Sequence, residues 1–303
     1  MIKVAISGAD TPKAGELLRI LVNHPDVDIV ALLAPGQDGR QARFMHHGLL
    51  GETPLSFSSA LPEKTDVLFV AEDKTNAPAL GRLRHARPEL KIIILSDIDH
   101  HNSDSLGMVY GLPEINRKSM VRGAITSNVP SPIASLTLVP LFPLALNMLL
   151  NGDITLNISA PEDLVTPDNL EKSRKEIINQ LRETQQSFKG DLKINILPPT
   201  SKRGIELTAD LDCPVGLDDL LGVYSMYDDH NFAFAVTSPV RLDDVKGTEK
   251  CITSLSIPEE GKLRLHAVAD GRLRGSAGEA VHIMNLMCGL HEKTGLALKP
   301  YAY

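Results

Sequence analysis

Met1–Leu33 reads MIKVAISGADTPKAGELLRILVNHPDVDIVALL, and this stretch decides the fold class. Ile2–Ile6 is a short apolar run that stops at Ser7-Gly8, a turn signal. Ala14–Val22 then places Leu17, Leu18 and Leu21 on one side of a helix, and His24-Pro25 ends it. Val27–Leu33 is apolar again and almost uninterrupted, as a strand buried on both faces requires. The pattern predicts a β-α-β unit with parallel strands.

The same rhythm continues outward. Val67–Ala71 and Lys91–Leu95 read as strands around a helical stretch at Ala77–His85, and Ala124–Ser127 reads as a further strand. Alternating strands and helices imply a parallel sheet covered by helices. Ser131–Leu150, SPIASLTLVPLFPLALNMLL, carries no charge and has the length of a membrane span, but Pro132, Pro140 and Pro143 interrupt it. We read it as a buried helix, with no membrane association. After Leu150 the order changes. Ile154–Ser159, Leu192–Leu197, Ile205–Leu211, Phe232–Val236, Cys251–Ile257 and Leu263–Ala269 read as strands, Asp168–Gln186 and Leu217–Met226 as helices. The expectation is an α/β chain: a Rossmann-like parallel-sheet domain plus a C-terminal α+β domain with a mixed or antiparallel sheet. We place the first at residues 1–150 with 275–303 and the second at 151–274.

Composition excludes several classes. The chain has 303 residues with 31 Lys and Arg against 38 Asp and Glu, a formal charge of −7 and no clustered basic run, so nucleic acid is not an expected partner. Cys213, Cys251 and Cys288 are widely spaced and lack a CxxC pair, which argues against a zinc ribbon or a disulfide framework and fits a reducing cytoplasm. The opening residues lack the long apolar core of a signal peptide. His46-His47 and His100-His101 are adjacent pairs, poor chelates, and we expect them on loop surface even though Asp97, Asp99 and Asp104 lie near the second pair. No metal is expected.

Met1–Arg19, Val109–Arg117 (VYGLPEINR), Arg203-Gly204 and Asp270–Leu296 (DGRLRGSAGEAVHIMNLMCGLHEKTGL) resemble N-acetyl-gamma-glutamyl-phosphate reductases, within the aspartate-semialdehyde dehydrogenase superfamily. The resemblance implies an NADP-binding first domain, a second domain carrying substrate and dimer contacts, and a last helix that returns to the first. It also implies covalent catalysis. A cysteine thiolate attacks an acyl phosphate, phosphate leaves, hydride reduces the thioester, and a histidine assists.

Several letters depart from that pattern. The cofactor turn reads Gly8-Ala9-Asp10-Thr11-Pro12-Lys13, keeping one glycine, with a carboxylate and a threonine where the family has small residues. Asn285 is the other cofactor-side residue implied. A turn that holds no nucleotide and a binding loop both remain compatible with these letters. Ala34-Pro35-Gly36 and Ala71-Glu72-Asp73 also differ from the family's cofactor loops, and Arg40 and Arg43 are the nearby cations. Ser131 stands where the family has its cysteine, in Asn128-Val129-Pro130-Ser131-Pro132, and Pro199 stands where it has its histidine. Ser131-Pro132 also makes a good helix start. Arg203 is a candidate anion ligand. The expectation is a homodimeric member that has lost reductase chemistry, binds NADP weakly, and serves as a binding or regulatory homologue for a small molecule the letters do not name. The alternative is an active NADPH-dependent reductase with a rebuilt site.

Overall fold

The computed structural model describes residues 1–95 and 106–300. His100, His101, Asp97, Asp99 and Asp104 lie outside the described residues. The chain divides into two compact units: Met1–Pro130 with Ser276–Ala297, and Ser131–Gly275 with the tail from Leu298.

In the first unit seven parallel strands run in the order β3-β2-β1-β4-β5-β7-β6. They are β1 (Ile2–Ser7), β2 (Val27–Leu33), β3 (Phe57–Ser58), β4 (Val67–Val70), β5 (Lys91–Ile94), β6 (Val109–Tyr110) and β7 (Thr126–Asn128). The described helices are α1 (Pro12–Leu21), α2 (Ala77–Ala86), α3 (Pro113–Val121) and α7 (Ala277–Met287). β4 is buried at every position and β5 at Ile92, Ile93 and Ile94, which accounts for their unbroken apolar letters. α7 packs on α1, α3 and β5.

The β1–α1 turn depends on Gly8. Its φ is +67°, and a Cβ there would lie 2.5 Å from the Glu72 backbone nitrogen, so no larger residue fits without moving the β4–α2 loop.

The second unit holds a mixed six-stranded sheet, β11-β12-β13-β10-β8-β9. Its strands are β8 (Ile154–Ser159), β9 (Leu192–Leu197), β10 (Gly204–Asp212), β11 (Ala233–Val236), β12 (Cys251–Glu259) and β13 (Lys262–Asp270). β10 runs antiparallel to β8 and β13, and β12 antiparallel to β13, whereas β8/β9 and β11/β12 are parallel. On β10, Ile205, Leu207, Ala209 and Leu211 are buried while Glu206, Thr208, Asp210 and Asp212 face outward. α4 (Pro132–Leu146) packs on β10, β12 and β13, α5 (Pro167–Thr184) on α4 and β9, and α6 (Leu217–Tyr224) on α4 and β12.

The uncharged segment is therefore α4, buried from Ile133 to Ala145. Among the described residues no helix is long and apolar enough to cross a membrane. Because α4 packs on the second sheet, the division falls at Pro130/Ser131, earlier than the boundary at 150 that the sequence suggests.

Pro143 cannot donate to the Val139 carbonyl in the usual i to i−4 manner. The Tyr227 hydroxyl donates to that carbonyl instead, at 2.6 Å, and the Tyr224 hydroxyl donates to the Pro140 carbonyl at 2.5 Å. The Tyr227 phenol thus supplies the donor that Pro143 lacks, and the Tyr224 phenol adds a second bond one residue on.

Candidate functional site

The sequence-derived positions fall into two places, one in each unit. In the first unit, Thr11 is the N-cap of α1. Its Oγ1 accepts from the Ala14 N–H at 3.3 Å and donates to the carbonyls of Gly8 and Ala71, each at 2.9 Å. Pro12 contributes no N–H. The helix end that would face a pyrophosphate thus has one amide already taken and one missing.

Ser7 Oγ donates to Glu72, and Asp10 is half-buried, so carboxylates flank the turn. Lys13 Nζ donates to the Leu95 carbonyl at 3.3 Å. Ala9 gives its carbonyl to His46 Nε2 at 2.7 Å, and the His46 ring fills the space beside Gly15, where a Cβ would meet Nδ1 at 2.6 Å. His46 is therefore seated on the turn rather than left as loop surface.

Asn285 has a different setting. It is fully buried, its Nδ2 donates to the carbonyls of Glu292 at 3.0 Å and Thr294 at 2.8 Å, and its Oδ1 accepts from His24 Nε2 at 3.1 Å. Beside it, His282 Nε2 lies 3.1 Å from Glu292, which also pairs with Arg117. The amide pins the chain after α7.

In the second unit, Ser131 is the N-cap of α4, and its Oγ accepts from the Ala134 N–H at 3.2 Å. The same oxygen lies 2.9 Å from Glu176 Oε2 and 2.8 Å from Ser173 Oγ, and the Ser131 N–H is 3.4 Å from both carboxylate oxygens. A carboxylate only accepts, so the Ser131 hydroxyl donates to Glu176 and Ser173 donates to Ser131.

Ser173 is 1% and Glu176 8% exposed, on the buried side of α5 with Ile177 and Leu181. Sequence reasoning missed both. The available signal was two polar letters on an otherwise apolar helical stripe. Gly275 closes the other side. Its φ is +63°, and a Cβ would sit 2.4 Å from Pro132 Cα, so the backbone there lies directly against the helix start. Arg274, fully buried, donates from Nε to Ser135 Oγ at 2.8 Å and pairs with the buried Glu249 at 3.5 Å.

Pro199 is exposed in the β9–β10 connection, where Ser159 Oγ bonds the Pro198 carbonyl and the Thr200 N–H. Arg203 Nε donates to the buried Asp270 at 3.1 Å, and Asp270 also accepts from the backbone of Gly247 and Arg272. Arg203 borders a cavity of about 540 Å³ that also presents Lys202 and Lys246 against Glu206 and Asp243. Its carboxylate partner makes it first a structural ion pair. Among the described residues no group of three metal-ligating side chains is gathered. Cys213 and Cys251 are buried and Cys288 half-buried, none of them in a disulfide; burial pushes the Cys288 thiol up.

Comparison with known proteins assigns the architecture. Residues 3–122 match the family described as "Semialdehyde dehydrogenase, NAD binding domain". The N-acetyl-gamma-glutamyl-phosphate reductase of Phocaeicola vulgatus is 34% identical over 100% of both chains, and that of Bacteroides thetaiotaomicron 33% over 100% of both. An aspartate semialdehyde dehydrogenase structure with NADP from Candida albicans superposes with a TM-score of 0.68 at 14% identity, covering 95% of this chain and 98% of the other. Aspartate semialdehyde dehydrogenase II from Vibrio cholerae gives 0.68 at 15% identity, covering 95% and 99%. At such identities these two establish the fold alone.

Proposed function

The chain belongs to the N-acetyl-gamma-glutamyl-phosphate reductase family, and from that premise we propose that it is a member without hydride-transfer chemistry, acting as a binding or regulatory homologue. The observation that carries this reading is the Glu176 carboxylate 2.9 Å from the Ser131 hydroxyl. A thiolate nucleophile needs positive potential around it. A carboxylate in contact supplies the opposite, so the surroundings of position 131, and not only its letter, are unsuited to the family's cysteine. A serine ester is in addition a poorer hydride acceptor than a thioester, and the exposed Pro199 offers no acid or base. In the first unit the Thr11 cap, the missing Pro12 donor and the neighbouring carboxylates support weak affinity for NADP(H).

The competing reading is an active NADPH-dependent N-acyl-glutamyl-phosphate reductase with a rebuilt site, favoured by the full-length match to the curated reductases. One experiment separates them. Wild type and Ser131→Cys are assayed in both directions, with N-acyl-glutamyl phosphate and NADPH and with the semialdehyde, NADP and phosphate. Neither is expected to oxidise NADPH or reduce NADP, because groups that act as a unit are not restored one at a time. Nicotinamide oxidation or reduction above the enzyme-free blank in either protein would support the active reading. Calorimetric titration with NADPH is expected to give a Kd weaker than about 1 μM, a binding free energy short of about −8 kcal/mol.

We also propose an isologous dimer through the second unit. All three of its helices lie against one side of the sheet core, while the outward row Asn157, Thr208, His266 and Ser254 is half-buried and polar. Sedimentation showing only monomer at micromolar concentration would remove this part.

A further inference from the structure

The carboxylate that is wrong for a thiolate is well placed for a hydroxyl. We infer that Ser131, Glu176, Ser173 and the Ile133 N–H form an acyl-transfer site that hydrolyses acyl phosphates, keeping the displacement half of the family's chemistry without its reductive half. This rests on the reading that Ser131 occupies the nucleophile position and that hydride transfer is lost.

Four observations carry it. The Ser131 hydroxyl already donates to Glu176 Oε2 at 2.9 Å, which is the reach a general base needs. Ser173 donates to Ser131 Oγ at 2.8 Å and fixes the oxygen's direction. Glu176 is held at the same place by the Ser131 N–H, so it stays beside the oxygen as the hydroxyl reacts. Finally, the first turn of α4 has a donor to give. Pro132 has no N–H, the Ala134 N–H goes to Ser131 Oγ and the Ser135 N–H to the Ser131 carbonyl, while the Ile133 N–H finds no acceptor among the described residues. That amide is the donor for an oxyanion at the carbonyl under attack.

The chemistry balances without a redox partner. Ser131 Oγ forms a bond to the acyl carbon as Glu176 takes its proton. The bond from that carbon to the phosphate oxygen breaks, and inorganic phosphate leaves with the electron pair. The departing phosphate takes the proton from Glu176, which then accepts a proton from the water attacking the serine ester and returns it to Ser131 Oγ, giving the regenerated hydroxyl and a carboxylic acid that ionises into solvent. The bond from Ala134 N–H, the longest of the three at 3.2 Å, is the one the attacking lone pair gives up. A carboxylate is a weak base for an alcohol, which restricts the substrate to acyl groups with a good leaving group; a phosphoric-carboxylic anhydride meets that condition and a simple ester does not.

The test uses the full chain with acetyl phosphate as the probe and NADPH present as an internal control. Phosphate release at least tenfold above the spontaneous rate is expected, with no loss of NADPH. A mass shift corresponding to one acetyl group should localise to the peptide carrying Ser131 after rapid acid quench. Ser131→Ala should return release to the blank, and Glu176→Gln should remove most of the release above it. Wild-type release at the spontaneous rate with no acetyl adduct would overturn the inference and leave the loss of reductase chemistry standing. Release that Ser131→Ala does not change, with the variant folded by circular dichroism, would overturn it too. NADPH consumption by wild type would instead defeat the reading on which it rests.

Discussion

Two helix starts in this protein are built alike and end differently. α1 begins Thr11-Pro12 and α4 begins Ser131-Pro132. Each has a hydroxyl N-cap, proline at the first helical position and the third residue's N–H on the cap oxygen, at 3.3 Å and 3.2 Å. The difference lies in where the hydroxyl proton goes. Thr11 gives it to backbone carbonyls, Gly8 and Ala71. Ser131 gives it to a buried carboxylate. The first arrangement closes a turn. The second is equally good as a cap, and it also sets a hydroxyl against a buried carboxylate, the pair the proposed acyl transfer uses. A cap's local geometry therefore says little about its chemistry; the partner of its proton decides.

Each start has a glycine of positive φ near it, Gly8 packed on the Glu72 backbone and Gly275 on Pro132, and these contacts give the largest expected effects. Gly8→Ala and Gly275→Ala both combine a strained φ with a backbone clash, and each should cost about 2–5 kcal/mol in urea unfolding. If Gly275→Ala proves mild, the backbone beside the Ser131 cap yields more readily than the loop packed on Gly8. The caps themselves come next. Ser131→Ala should lose about 2–4 kcal/mol, the cap plus a buried carboxylate deprived of a partner, and Thr11→Ala about 1 kcal/mol. Equal losses would mean that Glu176 finds another donor at no cost, and the contrast between the two caps would collapse.

The smallest effect concerns the segment leading to Gly275. Arg272 forms a two-point pair with Asp163, at 2.6 and 2.9 Å, and this hydrogen bonding holds the Asp163 carboxyl below its ordinary 3.8. A lowered folded value means that the stabilisation is present above the ordinary value and disappears as pH falls through the lowered one. The pair is largely exposed, so Asp163→Asn should cost less than about 1 kcal/mol at neutral pH, and wild type and variant should converge in acid. A gap that persists in acid would assign the cost to packing instead.

Much of the fold was legible because its signals are local. The β1–α1–β2 unit, β4, β5, β8 and the Thr166-Pro167 start of α5 fall where periodicity and capping place them. α3 was not: Leu112 gives it no side-chain cap, and Asn116 departs from helical dihedrals inside it, so neither start nor period is clean. At the candidate site Ser131 could be singled out through the family's turn, but its carboxylate partner could not. Glu176 is 45 residues further along the chain, in a helix whose other letters are mostly charged. The Asp270 partner of Arg203 is 67 residues away, and no local pattern announces such a pairing. Asn285 was carried over with its neighbours, and its hydrogen bonds to His24, Glu292 and Thr294 span up to 261 residues, again beyond any local pattern.

The two phenols under the proline-bearing helix have an optical consequence. The chain has no tryptophan and five tyrosines, so its near-ultraviolet absorption and emission come chiefly from Tyr110, Tyr224, Tyr227, Tyr301 and Tyr303. Tyr224 and Tyr227 are buried, hydrogen-bonded to carbonyls, and stacked edge to face with centroids 6.3 Å apart. Burial holds the Tyr224 hydroxyl well above its ordinary 10, so its phenolate forms only after the second unit opens. An alkaline ultraviolet titration therefore separates an immediate tyrosinate phase from a delayed one, and the delayed phase is a label-free clock for the unit that carries Ser131.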